Sequence, residues 1–310
     1  MKKEYPFLKK PVEITAQKWP DETATLVSIC CIAYKHEPYI RDAIDGFLMQ
    51  KTTFRVEILI HDDASPDRTA DIIASYEKKY PHLFKPVYQT ENQFSKGVKP
   101  GRETRERAHG AYIAICDGDD YWTDPQKIQK QVDFLESNKA YVLVYHPWVE
   151  FFNGKISEPR RVFPSTHTLL FRNIRLNYPP EVKSVLNGDD ILLFLLKQHG
   201  KFAYLDDIKP AVKRRDSGGI WNSLNRLEKA KAKEDTYSKL LTAFANTEYE
   251  QECKKLYEYR LRKLYNAANK DGVSLSHIDF YKTIFKRGLI LTYLRSLLRR
   301  VVKKKGIIRR

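Results

Sequence analysis

Apolar residues in the first half of this chain fall into short blocks separated by polar segments with helical spacing. Leu26–Ala33 and Val56–Ile60 are near-continuous apolar runs, and Ala111–Cys116 is another. Runs of this length, rich in β-branched residues and bounded by turn residues, predict strands buried on both faces. Phe84–Tyr88 predicts a shorter strand. Ile40, Ala43, Ile44, Phe47 and Leu48 recur at helical spacing and predict a helix over Ile40–Gln50. Ile72, Ile73 and Tyr76 mark a second helix, and Glu103–His109 reads as a third. Further along, Tyr141–Phe152 and Thr168–Arg172 read as strands and Ile191–Gln198 as an apolar helix. Strand, loop and helix in alternation predict an α/β fold, with a mostly parallel central sheet flanked by helices. Leu224–Asn269 is charged and poor in breakers, so it predicts a pair of helices, ended by Lys270-Asp271-Gly272. The expected organisation is an N-terminal extension over 1–24, an α/β domain over 25–223, a helical segment over 224–270 and a tail over 271–310.

Charge changes this picture little once it is located. The chain has 310 residues and a formal net charge of +16. Eleven Lys/Arg and no Asp/Glu lie between Lys282 and Arg310, which leaves +5 for residues 1–281. The basicity therefore belongs to the tail, and nucleic acid is not an expected partner of the main domain. In the tail, Ile290, Leu294, Leu297 and Val301 share one helical face, while Arg295, Arg299 and Lys303 lie away from it. A basic amphipathic helix of this kind predicts contact with an anionic membrane surface. Met1–Pro20 lacks the apolar centre of a signal peptide, and no apolar stretch reaches the roughly 18 residues needed to span a bilayer. A cytoplasmic protein lying on the inner face of the cell membrane is the expectation. Cys30, Cys31, Cys116 and Cys253 fit neither a zinc site nor a disulfide framework, and read as reduced, buried thiols.

Acids gather where the predicted strands end. Asp62-Asp63-Ala64-Ser65-Pro66-Asp67 follows the second strand, and Asp117-Gly118-Asp119-Asp120 follows the run at Ala111–Cys116. Ligands of open parallel sheets bind beyond the carboxyl ends of the strands, so both clusters face one crevice. Two carboxylates spaced as Asp117 and Asp119 can share a hard divalent cation, Mg²⁺ or Mn²⁺, with a diphosphate completing its shell. Ser65 and Asp67 read as turn and helix-capping residues. Adjacent Asp62 and Asp63 repel, and a base or ribose hydroxyl would give one of them a partner. Asn187-Gly188-Asp189-Asp190 opens the apolar helix. Asp189 can cap it, and Asp190 can accept a proton from an attacking hydroxyl. Arg214-Arg215-Asp216-Ser217-Gly218-Gly219-Ile220-Trp221 reads as a loop whose arginines could hold a diphosphate.

In this order the blocks resemble the family 2 glycosyltransferases, inverting enzymes with the GT-A fold. The resemblance runs over about residues 25–222. It is carried by Val27-Ser28-Ile29 through Ala33-Tyr34, by the Asp62–Asp67 block, and by Gly110-Ala111-Tyr112-Ile113-Ala114 with Asp117-Gly118-Asp119-Asp120-Tyr121-Trp122. Gly188-Asp189-Asp190 and the stretch from Arg214 to Trp221 complete it. It implies a nucleotide-sugar donor, of which a UDP-sugar is the common choice, and a glycan or lipid-linked acceptor in surface polysaccharide synthesis. Ala33, Tyr34, Glu37 and Asp63 would bind the nucleoside, Asp117 would lie near ribose or metal, and Asp119 would be the main metal ligand. Asp190 matches the catalytic base, although Asp189-Asp190 stands where relatives often have Glu-Asp, so either could be it. Arg214 and Trp221 would belong to the loop over donor and acceptor. Asp216 stands where many relatives have a His.

Two other classes compete. A sugar nucleotidyltransferase also uses a sheet and metal-binding acids, but it needs a glycine-rich phosphate loop after the first strand. Here that loop is Tyr34-Lys35-His36-Glu37-Pro38. A nucleic-acid-binding role would rest on the tail alone and fall steeply with salt.

Overall fold

The computed structural model describes residues 5–161, 163–215 and 218–272. Contacts divide the chain into two units. The first holds Met1–Asn177 with Asp189–Ser223, and the second holds Tyr178–Gly188 with the chain from Leu224 onward. The predicted membrane-binding helix lies outside the described residues.

The first unit is built on a mixed sheet. Strand β1 (Val27–Ala33) is followed by helix α1 (Ile40–Leu48), and β2 (Val56–Asp62) by α2 (Thr69–Lys79). Next come β3 (Val87–Tyr88), α3 (Pro100–Glu106), β4 (Tyr112–Ile115) and α4 (Lys127–Ser137). The rest of this unit comprises β5 (Tyr141–Tyr145), β6 (Trp148–Phe152), β7 (Lys155–Ile156), β8 (Leu170–Arg172), α5 (Gly188–Lys197), β9 (Lys201–Tyr204), β10 (Ala211–Arg214) and α6 (Ile220–Ser223). The central sheet runs in the order β9-β5-β8-β4-β1-β2-β3. β1 is parallel to β2 and β4, and β8 is the strand that runs against its neighbours β4 and β5. The mostly parallel sheet read from the alternating blocks is what forms.

The apolar runs become strands because both faces are covered. Val27, Ile29, Cys31 and Ala33 pack with Ile40, Ala43, Ile44 and Phe47 of α1 in the largest core cluster. Cys30, Leu59, Ile113 and Ile115 face the opposite layer with Leu192, Leu193 and Leu196 of α5. Burying one such side chain contributes about 1.5–3 kcal/mol, so these two layers fix the sheet. All four cysteines are free and buried.

Several elements differ from the reading of the pattern. Tyr141–Phe152 is two strands, because the chain leaves the central sheet at His146-Pro147. β6 joins a small sheet, parallel to β10 and antiparallel to β7. Asn153 and Gly154, both with positive φ (50° and 73°), make the tight turn between β6 and β7. The segment around Phe84 contributes a single bridge to Ile58, and strand pairing begins at Val87. β9, β10 and α4 were not anticipated, and the third predicted helix starts at Pro100 rather than Glu103.

In the second unit, α7 (Arg226–Ala243) and α8 (Glu250–Lys270) are the expected helix pair. Asn225 and Glu228 form a reciprocal capping box at the start of α7. Tyr237, Leu240 and Leu241 of α7 and Cys253, Tyr257 and Leu261 of α8 are among the unit's buried side chains, and Tyr257 Oη donates to Glu234 at 2.8 Å.

Candidate active site

Strand register brings the acid loops together. Ala33 is level with Asp62 at the carboxyl edge of the sheet. Beyond the end of β4, Cys116 N–H donates to Cys30 O (3.2 Å) and Gly118 N–H to Ile32 O (2.9 Å), so the Asp117–Asp120 loop runs along the last turn of β1. Asp63 N–H donates to Ala33 O at 2.9 Å from the other side. Space is tight between the two acids: a Cβ on Gly118 would lie 2.8 Å from both His36 Nδ1 and Ile40 Cδ1, and those side chains would have to move.

The first two loops brace each other. Lys35 N–H donates to Ser65 Oγ (3.0 Å), His36 N–H to Thr69 Oγ1 (2.9 Å) and Glu37 N–H to Asp67 (3.2 Å). Glu37 in turn accepts from Arg68 N–H at 3.0 Å. Asp67 also accepts from Thr69 N–H, but the N-cap position of α2 is Arg68, so Asp67 stands one residue before the cap expected of it. Glu37 therefore shapes the loop at whose rim Tyr34 is exposed. Asp63, only 2% exposed, receives Gln93 N–H (2.7 Å) and Phe94 N–H (3.1 Å) on its carboxylate. The repelling pair thus finds partners within the chain. Asp62 accepts from Ser65 N–H with one oxygen, while its Oδ1 is buried without a hydrogen-bond partner among the described residues. Burial raises the Asp62 pKa, and it lowers that of the neighbouring His61.

The third loop accumulates negative charge. The Asp117 pKa is pushed well above the usual carboxylate range by burial, then by the charges of Asp119, Asp120 and Asp189, with Lys213 opposing. Asp120 is held from two sides: Oδ1 accepts Arg214 N–H (2.9 Å), and Oδ2 lies 3.2 Å from His167 Nδ1. Tyr121 exchanges both backbone hydrogen bonds with Val212 (3.1 and 2.9 Å). Trp122 is buried and donates Nε1–H to His167 O at 2.7 Å. Beneath it, the buried Lys127 places Nζ 4.0 Å from the centre of the Trp122 ring.

Arg214 was expected in a loop but ends β10. Its side chain donates to Asp119 O (3.0 Å), pairs with Asp42, and lies over the Tyr121 ring at 4.6 Å. It is a brace for the acidic loop. Trp221 lies half-buried in the short helix α6. Asp216 is outside the described residues. At the start of α5, Asp189 is exposed and its charge reaches Asp117, while Asp190 is buried. Residue pattern alone had not singled out Lys213, His167 or Asp42. Their partners lie far away in sequence, and no local spacing signals them.

Among the described residues, no group of three or more His, Cys, Asp and Glu side chains is placed to hold a metal ion by itself. The surplus of acids around Asp117 fits a cation whose remaining ligands arrive with a substrate. No described helix is long and apolar enough to cross a membrane.

The family model for glycosyl transferase family 2 matches residues 28–188. An uncharacterized protein of Mycobacterium tuberculosis is 36% identical over 216 residues, covering 64% of this chain and 61% of that protein. The Escherichia coli UDP-Glc:α-D-GlcNAc-diphosphoundecaprenol β-1,3-glucosyltransferase WfaP is 32% identical over 141 residues, 44% of this chain and 53% of WfaP. The chain thus spans under two thirds of the length of these relatives. Among solved structures, the mannosyltransferase PcManGT of Pyrobaculum calidifontis, in complex with GDP-Man and Mn²⁺, superposes with a TM-score of 0.55 at 16% identity. That match covers 92% of this chain and 84% of the other.

Proposed function

The chain belongs to glycosyl transferase family 2, and we propose that it transfers a sugar from a nucleoside-diphosphate sugar to a hydroxyl of a lipid-linked glycan. In this reading the donor is a UDP-sugar, the catalytic domain is residues 25–223, and the product enters a surface polysaccharide. The observation that carries it is the acid surplus at the sheet edge, where Asp119, Asp120 and Asp189 all act on Asp117. Burial and like charge disfavour the ionised form of Asp117, and a bound cation would favour it. Asp119, with Asp117 beside it, would hold a divalent cation, Mn²⁺ or Mg²⁺. When bound, such an ion offsets the charge that grows on a departing nucleoside diphosphate.

The chain's own residues would do the rest. Ala33 and Tyr34 would line the nucleoside side of the crevice with Asp63, in a loop geometry fixed by Glu37. Asp190 would accept the proton of the acceptor hydroxyl as it attacks the anomeric carbon from the face opposite the leaving group. Asp189, one residue earlier and exposed, is the alternative base. Trp221 and the residues before it would cover donor and acceptor. The lipid-linked acceptor is supported by WfaP, whose name specifies a diphosphoundecaprenol substrate. The basic segment from Lys282 to Arg310 supports action at the cytoplasmic face of a membrane.

The test is a panel of nucleotide sugars with and without Mn²⁺, read as hydrolysis and transfer. Asp119→Ala is expected to abolish metal-dependent turnover. Asp190→Asn is expected to stop transfer while donor still binds, and Asp189→Asn to retain it; the reverse pattern would move the base to Asp189. If no donor binds at any metal concentration and the variants behave as wild type, the proposal is wrong.

A further inference from the structure

The strand that ends in the acidic crevice also carries one face of the small sheet. β10 pairs in register with β6, Ala211 with Trp148 and Lys213 with Glu150. Arg215 N–H extends the ladder to Phe151 O at 3.1 Å. Alternation along a strand puts Trp148, Glu150 and Phe152 on one face, beside Lys213 and Arg215. Side-chain contacts agree. Glu150 pairs with Arg160 at 2.5 Å and with Arg215 at 3.6 Å. The Arg160 guanidinium lies over the Trp148 ring at 5.1 Å, and that of Arg215 over Phe152 at 5.7 Å. Lys155 is opposite Phe152 across the hairpin. The face therefore sets Lys155, Arg160, Lys213 and Arg215 against one carboxylate.

Cations and apolar groups stay exposed together here. The side chains of Arg160 and Arg215 are 49% and 47% accessible despite their pairing with Glu150. On the same face, Phe152 at the hairpin tip is 49% exposed and Trp148 is half-buried. Water is a poor neighbour for these rings, and a ligand with a doubly charged head and a hydrocarbon chain suits both halves of the face. The inner end of the face is Lys213, which lies between Val212, bonded through its backbone to Tyr121, and Arg214, whose N–H meets Asp120. Arg215 is two residues farther along, about 7 Å at strand spacing. That interval takes one sugar ring between an anionic group on Arg215 and a hydroxyl at the crevice.

We infer that this face, built on Arg160, Arg215 and Phe152, docks the acceptor through an isoprenoid diphosphate. The guanidinium groups hold the diphosphate, the hairpin tip meets the first isoprene units, and the attached sugar projects toward the acids. Glu150 holds the two arginines apart from other partners until the diphosphate replaces it. This inference rests on the transferase reading above and adds to it where and by what the acceptor is held.

The test uses full-length protein in EDTA, so that metal-bound diphosphate does not contribute, with farnesyl diphosphate as probe in calorimetry. Inorganic pyrophosphate and phosphatidylglycerol vesicles are run alongside. R160S/R215S is expected to bind farnesyl diphosphate about tenfold more weakly than wild type. Phe152→Ser should weaken it a few-fold, with less effect on pyrophosphate. Glu150→Gln, which frees both arginines, should bind at least as tightly as wild type. Because Arg160, Arg215 and Phe152 are about half exposed, thermal melting of R160S/R215S and Phe152→Ser should match wild type. Binding of a nucleotide sugar with Mn²⁺ should be the same in wild type and Phe152→Ser; its absence from wild type would sink the transferase reading rather than this one. The inference is overturned if R160S/R215S binds farnesyl diphosphate within twofold of wild type. It is also overturned if that variant loses vesicle binding alone, which would make the face a general headgroup surface.

Discussion

Two clusters of aspartates follow β2 and β4, the strands on either side of β1, at one edge of the sheet, and they settle their charge in opposite ways. Asp63 is met by the main-chain N–H groups of Gln93 and Phe94, so its charge is satisfied within the fold. The Asp117 loop gathers further acids, and its pKa rises accordingly. In sequence the two look alike, as adjacent or near-adjacent acids after a buried strand. The difference lies in what surrounds each carboxylate. Asp63 takes two main-chain donors and shapes the crevice wall. Asp117 lies beside Asp119 and Asp120, and in the proposed reading a bound cation would relieve that like charge.

Activity should separate the two most widely. Asp119→Ala is expected to lower kcat/KM by roughly 100- to 1,000-fold, the range for losing metal-assisted charge stabilisation. Asp63→Ala should act mainly through donor KM, with kcat reduced far less. Steady-state kinetics on the donor found in the panel would show it, and equal losses in kcat would erase the contrast. Mn²⁺ offers the next largest effect. At about a hundred times its Kd, a ligand of the folded state adds about 2.7 kcal/mol. The melting temperature should therefore rise by several degrees in wild type and in Asp63→Ala, but not in Asp119→Ala.

Stability without metal sharpens the comparison further, because the two sites should differ in sign. Asp63→Ala strands two N–H groups in a buried place and should cost about 1–3 kcal/mol. Asp117→Asn removes one of several like charges and should raise the metal-free melting temperature by about 2 °C. Calorimetry in EDTA checks both. If Asp117→Asn destabilises as Asp63→Ala does, the third loop is internally satisfied after all.

What the sequence showed follows from the same distinction between local and distant partners. β1, β2 and β4 were legible because burial on both faces leaves unbroken apolar runs. The two acid blocks were legible because turn residues frame them. α4 was missed although Ile128, Val132 and Leu135 have helical spacing, since buried Lys127, Gln129 and Gln131 blur its polar face. β9 and β10 were missed because each is only four residues long and carries charged side chains, and their pairing with β5 and β6 is set far away in the chain. For the same reason Arg214 read as a loop arginine for diphosphate, whereas its partners Asp42 and Asp120 make it a brace. Lys213 gave no signal at all, because its importance lies wholly in its distance from Asp117.

Lys127 supplies the finest test, because it is a buried cation only a few residues from the acid-rich loop. Burial pulls its pKa down to about 7, against the charges of Cys116 and Asp124. Its Nζ donates to Gln131 at 2.8 Å, and the Trp122 ring supports the charged form. Unfolded, the same amine titrates near 10.5. Between about pH 7 and that value the unfolded chain therefore carries a proton that the folded chain has lost. Stability must rise with pH across this window, by at most about 1.4 kcal/mol per unit, and level off below it. Lys127→Met should flatten this rise relative to wild type in urea melts at pH 7, 8 and 9. Mn²⁺ affinity should not change, since the acids that act on Lys127 are not those around Asp117. If Lys127→Met instead tightened Mn²⁺ binding about tenfold, Lys127 would be a resident counter-charge for the Asp117 loop. The two clusters would then differ only in which part of the chain satisfies them.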